Sequence, residues 1–526
     1  MAWKSTFFLS SLLAGSYATP LAFPKHARSE KITWGACQEE TVTAPAQCGN
    51  LTVPLDYTQP ESDKTLQLQL LKVPATREPK KGSILFNFGG PGLEARLTLF
   101  AQGEILQALT GGHYDLIAHD PRGTANTLTA YCSTNETERL AVSMESRFSD
   151  MAKASDEMAL GRLWAGSELF ANFCAEGELK ENGQYMSTAF TARDLMQIVD
   201  AVTDDGLLKY WGFSYGTVLG STVAAMFPDR VDKLIIDGVM NPHQYFNSYD
   251  TEVWAGVDKV FTSFFQQCLL TPERCALASR NETAEQLEKS IYQLLDDIKR
   301  EPIVHQHTVI DHSIIKTFIR FSLYGPGSYP TLATAFNYLL DGNMTKFMEI
   351  LEAQLGGGLV AAAASNDATF AIPCSEKSTG VDTLEGMMPY LDINPPTSNL
   401  LGEAGNAIAM TCTNWQIHAK ERYEGNFESK TKNPIMVIGN TYDSATPLVS
   451  ARNISASFEG SVLLEHGGWG HASLAHGSSC TSRIIRDYWT NGTLPAVGTK
   501  CEPDYPPFEP GSLKDVLVKI GFLDKE

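Results

Sequence analysis

Short, nearly continuous apolar runs alternate with helix-period segments over the first 240 residues or so of the chain. Gly82-Ser-Ile-Leu-Phe-Asn-Phe88, Tyr114-Asp-Leu-Ile-Ala-His-Asp120, the stretch from Leu208 to Phe213 and Lys233-Leu-Ile-Ile-Asp-Gly-Val239 are runs of this kind. They mark strands covered on both faces, as in a parallel sheet. Thr65-Leu-Gln-Leu-Gln-Leu-Leu-Lys-Val73 alternates instead and predicts a half-exposed strand at a sheet edge. Between these runs, residues 133–186 are rich in Ala, Glu, Met and Leu and predict helices. The stretch from Thr188 to Val202 carries Phe190, Leu195, Ile198 and Val199 on one helical face, and Val218 to Phe227 reads as a helix closed by Pro228. From about residue 245 to 430 helical periodicity dominates. The strand pattern then resumes with Pro434-Ile-Met-Val-Ile-Gly439 and, as the last strand, Ser461-Val-Leu-Leu-Glu465. The expectation is an α/β fold: a mostly parallel sheet flanked by helices, with residues 30–242 and 431–526 as its two parts and a helical cap inserted over 243–430.

Composition narrows the setting. The 526 residues are 43% hydrophobic and 19% charged, with a net charge of −20. That excludes a disordered chain and disfavours nucleic acid or an anionic membrane as partner. Lys4 precedes an apolar run from Phe7 to Ala14, and Ser16-Tyr17-Ala18 offers small residues before a cut, so residues 1–18 read as a signal peptide. Phe23 to Ser29 reads as a linker or short pro-segment. No segment is long enough to span a membrane. Ten cysteines without a Cys-x-x-Cys fit an oxidising compartment, with each cysteine assigned to its sequence neighbour: 37–48, 132–174, 268–275, 374–412 and 480–501. Asn50, Asn135, Asn281, Asn343, Asn453 and Asn491 each begin a glycosylation sequon. A secreted, N-glycosylated protein is expected.

The candidate chemistry lies just past the ends of the apolar runs. Gly212-Phe-Ser-Tyr-Gly216 lies between a strand and a helix, the setting that exposes a serine hydroxyl on a tight turn. Ser214 is the candidate nucleophile, and the N–H of Tyr215 faces developing negative charge. Gly89-Gly-Pro-Gly92 ends another strand, and Gly90 is the candidate second oxyanion donor. A serine needs an imidazole, and the imidazole a carboxylate. Asp443 and His471 supply them in the order Ser, Asp, His, with His466, His476 and Asp237 as competitors. Asp120 and Arg122 read as a structural pair beneath the nucleophile. Glu252 and Glu376 are weaker candidates for gripping a substrate amine, and Gly356 to Ser365 is a small-residue segment, packed tightly or mobile.

Trp34 with Cys37, Val53-Pro-Leu-Asp-Tyr57, Gly89-Gly-Pro-Gly92, Asp120-Pro-Arg-Gly123, Gly212-Phe-Ser-Tyr-Gly216, Asp237-Gly238, Asp443 with Thr446-Pro447, and Gly470-His471 together resemble secreted tripeptidyl-aminopeptidase-like α/β-hydrolases. These are relatives of the prolyl aminopeptidases, with a characteristic C-terminal region. The resemblance implies an α/β-hydrolase core with a helical cap and Ser214, Asp443 and His471 as its triad. It also implies a serine hydrolase that needs no metal or organic cofactor and acts on short peptides. Leu93-Glu94-Ala95 and Thr124-Ala-Asn-Thr127 stand where such proteins carry small residues. Bulk and charge there make an esterase or lactonase the alternative. A non-catalytic binding protein on the same scaffold is a third reading.

Overall fold

The computed structural model describes residues 31–525, apart from 149, 248–249 and 356–357. The expected signal peptide and pro-segment lie outside the described residues, as does part of the 356–365 segment. Nine strands form one sheet: β1 (Gln47–Pro54), β2 (Thr65–Val73), β3 (Ser83–Asn87), β4 (Asp115–His119), β5 (Leu208–Ser214), β6 (Val231–Val239), β9 (Met436–Tyr442), β10 (Val462–Trp469) and β11 (Lys500–Cys501). Their order is β1-β2-β4-β3-β5-β6-β9-β10-β11. β1 and β2 are antiparallel to their neighbours, and from β4 to β11 every pairing is parallel.

The apolar runs become the inner strands because both faces are covered. All five residues of β3 and the first six of β5 are buried. One face packs Phe86, Trp211, Phe213 and Trp489 together, and the other packs Tyr210, Val218, Ile236 and Val437. The helix expected from Thr188 to Val202 is present with those bounds. Two expectations about the sheet margins need correction. The alternating run Thr65–Val73 is not the edge; β1 covers it in an eight-residue antiparallel ladder. Nor is β10 the last strand. Lys500–Cys501 pairs with Glu465 and His466, and the Cys480–Cys501 disulfide anchors it. Two residues carry no periodicity, so the pattern could not reveal them.

The described residues between β6 and β9 add no strand to the main sheet. They form helices and one small hairpin, β7 (Ile303–His305) with β8 (Thr308–Ile310). Their own core gathers Phe261, Phe264, Phe318, Tyr329 and Phe336. Helix Glu157–Glu176, from between β4 and β5, joins this layer: Leu160 and Leu163 pack with Met387, Leu391 and Met410. All five disulfides are the sequence-neighbour pairs. The six sequon asparagines are all exposed. No helix among the described residues is long and apolar enough to cross a membrane.

Asp120 and Arg122 are not a pair. Arg122 donates to both oxygens of Asp194, at 2.6 and 2.9 Å, and to the carbonyls of Leu55 and Pro54. Asp120 instead accepts from the Arg96 backbone N–H at 3.2 Å and lies 3.7 Å from its guanidinium. Arg122 and Asp194 are both fully buried, and Tyr57 adds a third donor to Asp194. Removing one partner strands the other charge. Arg122→Met should therefore lower the free energy of unfolding by about 3–5 kcal/mol. Adding Asp194→Leu should recover much of the loss. Denaturant unfolding with the disulfides intact measures both.

Candidate active site

Ser214 sits at φ 56°, ψ −126°, a region that a non-glycine residue occupies at a cost of order 1–3 kcal/mol. The neighbouring glycines allow this turn. A Cβ on Gly212 would fall 2.2 Å from the Gly216 carbonyl oxygen, and one on Gly216 would fall 2.4 Å from that of Asn87. Hydroxyls then fix it. Tyr210 donates to the Gly216 carbonyl at 2.7 Å, and Thr217 donates to the Ser214 carbonyl at 2.5 Å. Tyr215 opens the helix Tyr215–Met226, whose first N–H groups have no acceptor within the helix. The Gly89–Gly92 loop packs directly against this turn. A Cβ on Gly89 would stand 2.7 Å from Ser214 Cβ and 3.1 Å from the Tyr215 nitrogen. The two loops that carry the candidate oxyanion donors, Gly90 and Tyr215, are thus in contact.

Asp443 follows β9 and His471 follows β10. Asp443 is completely buried yet richly bonded. One oxygen accepts the backbone N–H groups of Ala445 and Thr446, both at 2.8 Å. The other accepts the Thr446 hydroxyl at 2.8 Å and the Ala472 N–H at 3.0 Å. His471 Nδ1 stands 3.2 and 3.3 Å from the two carboxylate oxygens and 3.0 Å from Thr446 Oγ1. The loop beneath the imidazole is clamped: Asn440 donates to the carbonyls of Gly470 and Ala472, and His471 N–H donates to the Tyr324 carbonyl at 2.8 Å. Burial works against both charges, but their mutual attraction outweighs it. The Asp443 carboxyl is held below its ordinary range and the His471 imidazole above its own.

The competitors have other partners. Asp237 is spent on the N–H and hydroxyl of Ser473, at 2.9 and 2.6 Å, and burial pushes its pKa up to about 6. His466 faces Thr481, and His476 is held between the Trp469 N–H and the Tyr505 carbonyl. Burial pushes these two imidazoles down to about 3 and 4, so both are neutral. Glu252 is engaged by Asn241, Ser450 and Asn453. Glu376 is buried beneath Thr188 and Tyr245, with its pKa pushed up to about 7 by burial. Neither of these glutamates is free to grip an amine.

The structure brings Asp443 and His471 into hydrogen-bonding contact and carries Ser214 to the same end of the sheet. A Cβ on Gly238 would lie 2.9 Å from that of Ala472, so the His471 loop leans across β6 towards the serine turn. Among the described residues no hydrogen bond joins Ser214 Oγ to His471; such contacts are often long until substrate is bound. Two partners escaped the sequence reading. Thr446 had a faint signal, three residues after the acid at a helix start. Tyr324, whose ring meets the His471 ring edge-on at 5.3 Å, comes from the inserted helices and had none.

A base must be neutral to take a proton. With His471 as base, activity falls as pH drops through an imidazole pKa lying above 6.5. Asp443→Asn removes the attraction and leaves the burial. The acid limb of the pH–rate profile should then move to lower pH, while kcat/KM falls by about 10⁴-fold. An unmoved limb would deny Asp443 this role.

The alpha/beta hydrolase fold family matches residues 82–322, and the family described as TAP-like protein matches residues 398–501. Serine protease Hip1 of Mycobacterium tuberculosis is 26% identical over 496 residues, which span 90% of this chain and 91% of that protein. Tripeptidyl aminopeptidase of Streptomyces lividans is 24% identical over 498 residues, spanning 90% of this chain and 87% of its own length. Carboxylesterase B of M. tuberculosis is 24% identical over 503 residues, spanning 90% of each chain. With a mostly parallel sheet, a serine turn after its central strand and an acid–imidazole pair after two later ones, the chain has the α/β-hydrolase fold, and its residues 398–501 are similar to the TAP-like family.

Proposed function

We propose that this protein is a secreted serine hydrolase that works through an acyl-enzyme and releases short peptides or residues from the N-termini of peptides. The observation that carries the reading is the Asp443–His471 pair at the same end of the sheet as a serine in left-handed backbone geometry. His471 Nε2 accepts the Ser214 proton as Oγ attacks the carbonyl carbon. The N–H groups of Tyr215 and Gly90 hold the tetrahedral oxyanion. The imidazolium, stabilised by Asp443, then gives its proton to the departing amine. Water enters, loses a proton to His471 and attacks the acyl carbon; the imidazolium then returns that proton to Ser214 Oγ as the Oγ–carbon bond breaks and the acid departs.

The peptidase reading is supported by the relatives named as a serine protease and a tripeptidyl aminopeptidase. The helical layer supports action at chain ends. Its helix Gly358–Glu376 packs on the oxyanion loop through Ala368 against Gly92, and its Tyr324 borders His471. Secretion is supported by the apolar N-terminal run, five disulfides and six exposed sequons, which also favour N-glycans. A second reading, an esterase, draws on Leu93: this bulky residue beside the oxyanion loop is 46% exposed.

Purified wild type and Ser214→Ala, each given free-amine di- and tripeptide anilides, their N-acetylated forms and short acyl esters, test both readings. The aminopeptidase reading expects anilide cleavage that is lost on N-acetylation and falls at least about 10⁴-fold in Ser214→Ala. Ester turnover alone, indifferent to a free amine, overturns it in favour of the esterase.

A further inference from the structure

Three hydroxyls surround the strained serine turn, and two of them, on Tyr210 and Thr217, bond the carbonyls of Gly216 and Ser214. The third is the Tyr215 side chain, whose hydroxyl lies 2.7 Å from Thr188 Oγ1. Thr188 in turn donates its hydroxyl to Glu376 Oε1 at 2.5 Å and its N–H to Oε2 at 2.8 Å. Tyr245 donates to Oε1 at 2.8 Å. When Glu376 is ionised the protons run one way, from Tyr215 to Thr188 to the carboxylate. Thr188 opens the helix Thr188–Val202, where unsatisfied N–H groups favour a negative charge. Glu376 is 1% exposed, so its carboxylate serves these three donor groups rather than solvent or substrate.

Glu376 ends the helix Gly358–Glu376 of the inserted layer. Ala368, eight residues earlier on that helix, is the residue that a Cβ on Gly92 would meet, at 2.8 Å. One helix thus touches the Gly89–Gly92 loop through Ala368 and reaches the Tyr215 side chain through Glu376 and Thr188, with the two residues about 12 Å apart along its axis. The Cys374–Cys412 disulfide ties down the end that carries the glutamate.

We propose that Glu376 is a positioning residue: through Thr188 and the Tyr215 hydroxyl it holds the Tyr215 peptide at its spacing from the Gly89–Gly92 loop, so that seating of the helical layer sets the oxyanion site. This rests on the hydrolase reading of Ser214. The tetrahedral anion requires two N–H groups aimed at one point, and each belongs to a loop steadied by this helix. A neutral amide at 376 keeps the volume but presents an NH₂ group to donors that need an acceptor.

The test compares wild type, Glu376→Gln, Tyr215→Phe and the double variant on whichever ester or anilide the wild type cleaves. Inhibition by a peptide aldehyde, which forms a tetrahedral adduct on the serine, is measured alongside. In each single variant kcat should fall roughly 10- to 100-fold, short of the about 10²–10³-fold loss on deleting an oxyanion donor. KM should stay within about twofold, the signature of a transition-state contact. Aldehyde affinity should weaken in step with kcat/KM. The double variant should be no worse than the poorer single one, because both cut the same chain. If Glu376→Gln does not fold, the kcat, KM and aldehyde measurements on Tyr215→Phe decide. Unchanged kcat, a loss confined to KM, or additive losses overturn the proposal. Turnover that survives Ser214→Ala overturns instead the reading beneath it.

Discussion

The left-handed backbone of Ser214 is the constraint around which the rest is arranged. That conformation lifts the hydroxyl off the sheet, and it persists only where the surroundings leave no alternative. Here they are specific. Gly212, Gly216 and Gly89 remove Cβ atoms that would collide with backbone or with the serine itself. Tyr210, Thr217 and the Tyr215–Thr188 link then pin the carbonyls and the side chain on either side. The cost of the strained residue is met by a core in which β3 and β5 are buried on both faces, so the turn has nowhere to relax.

A parallel sheet explains why the remaining chemistry converges there. Strands β5, β6, β9 and β10 are consecutive neighbours running in one direction, so the segments leaving them all emerge at one end. Asp443 and His471 need only short loops to meet. Asp237, in β6 between the serine strand and β9, supports the His471 loop through Ser473 rather than the imidazole. The acid nearer the serine strand is thus a brace, and the one a strand farther from it faces the ring.

This logic sets how much could be read from sequence. Buried strands announce themselves by apolar runs, and turn chemistry by glycines, so Ser214, Asp443 and His471 stand out at strand ends. Long-range partnerships leave no such trace. Arg122 resembles the partner of Asp120 because only Pro121 separates them, but its carboxylate comes from Asp194, seventy-two positions away. Glu376 reads only as a weak candidate for gripping an amine until the fold buries it against Thr188. The edge strand β1 hides behind its cysteine and threonine content, since a strand exposed on one side owes its place to pairing more than to apolar residues.

The buried carboxylates also differ by the donors they receive. Asp443 has four hydrogen bonds besides its imidazole and stays below the ordinary carboxyl range despite full burial. Asp120, Asp237 and Asp367 receive fewer, and burial lifts each to about 6; Glu376 rises to about 7. A carboxyl whose folded pKa is raised binds its proton more tightly in the native state. The four therefore favour folding increasingly as pH falls, from about 7 to 4.5 for the glutamate and from about 6 to 3.8 for the aspartates. His471, raised as well, adds stability in the same direction as it becomes charged. Its charging, however, removes the base. Mild acid should therefore silence the imidazole while these groups still favour the fold, with the Asp443 carboxyl, held below its ordinary range, still facing the ring.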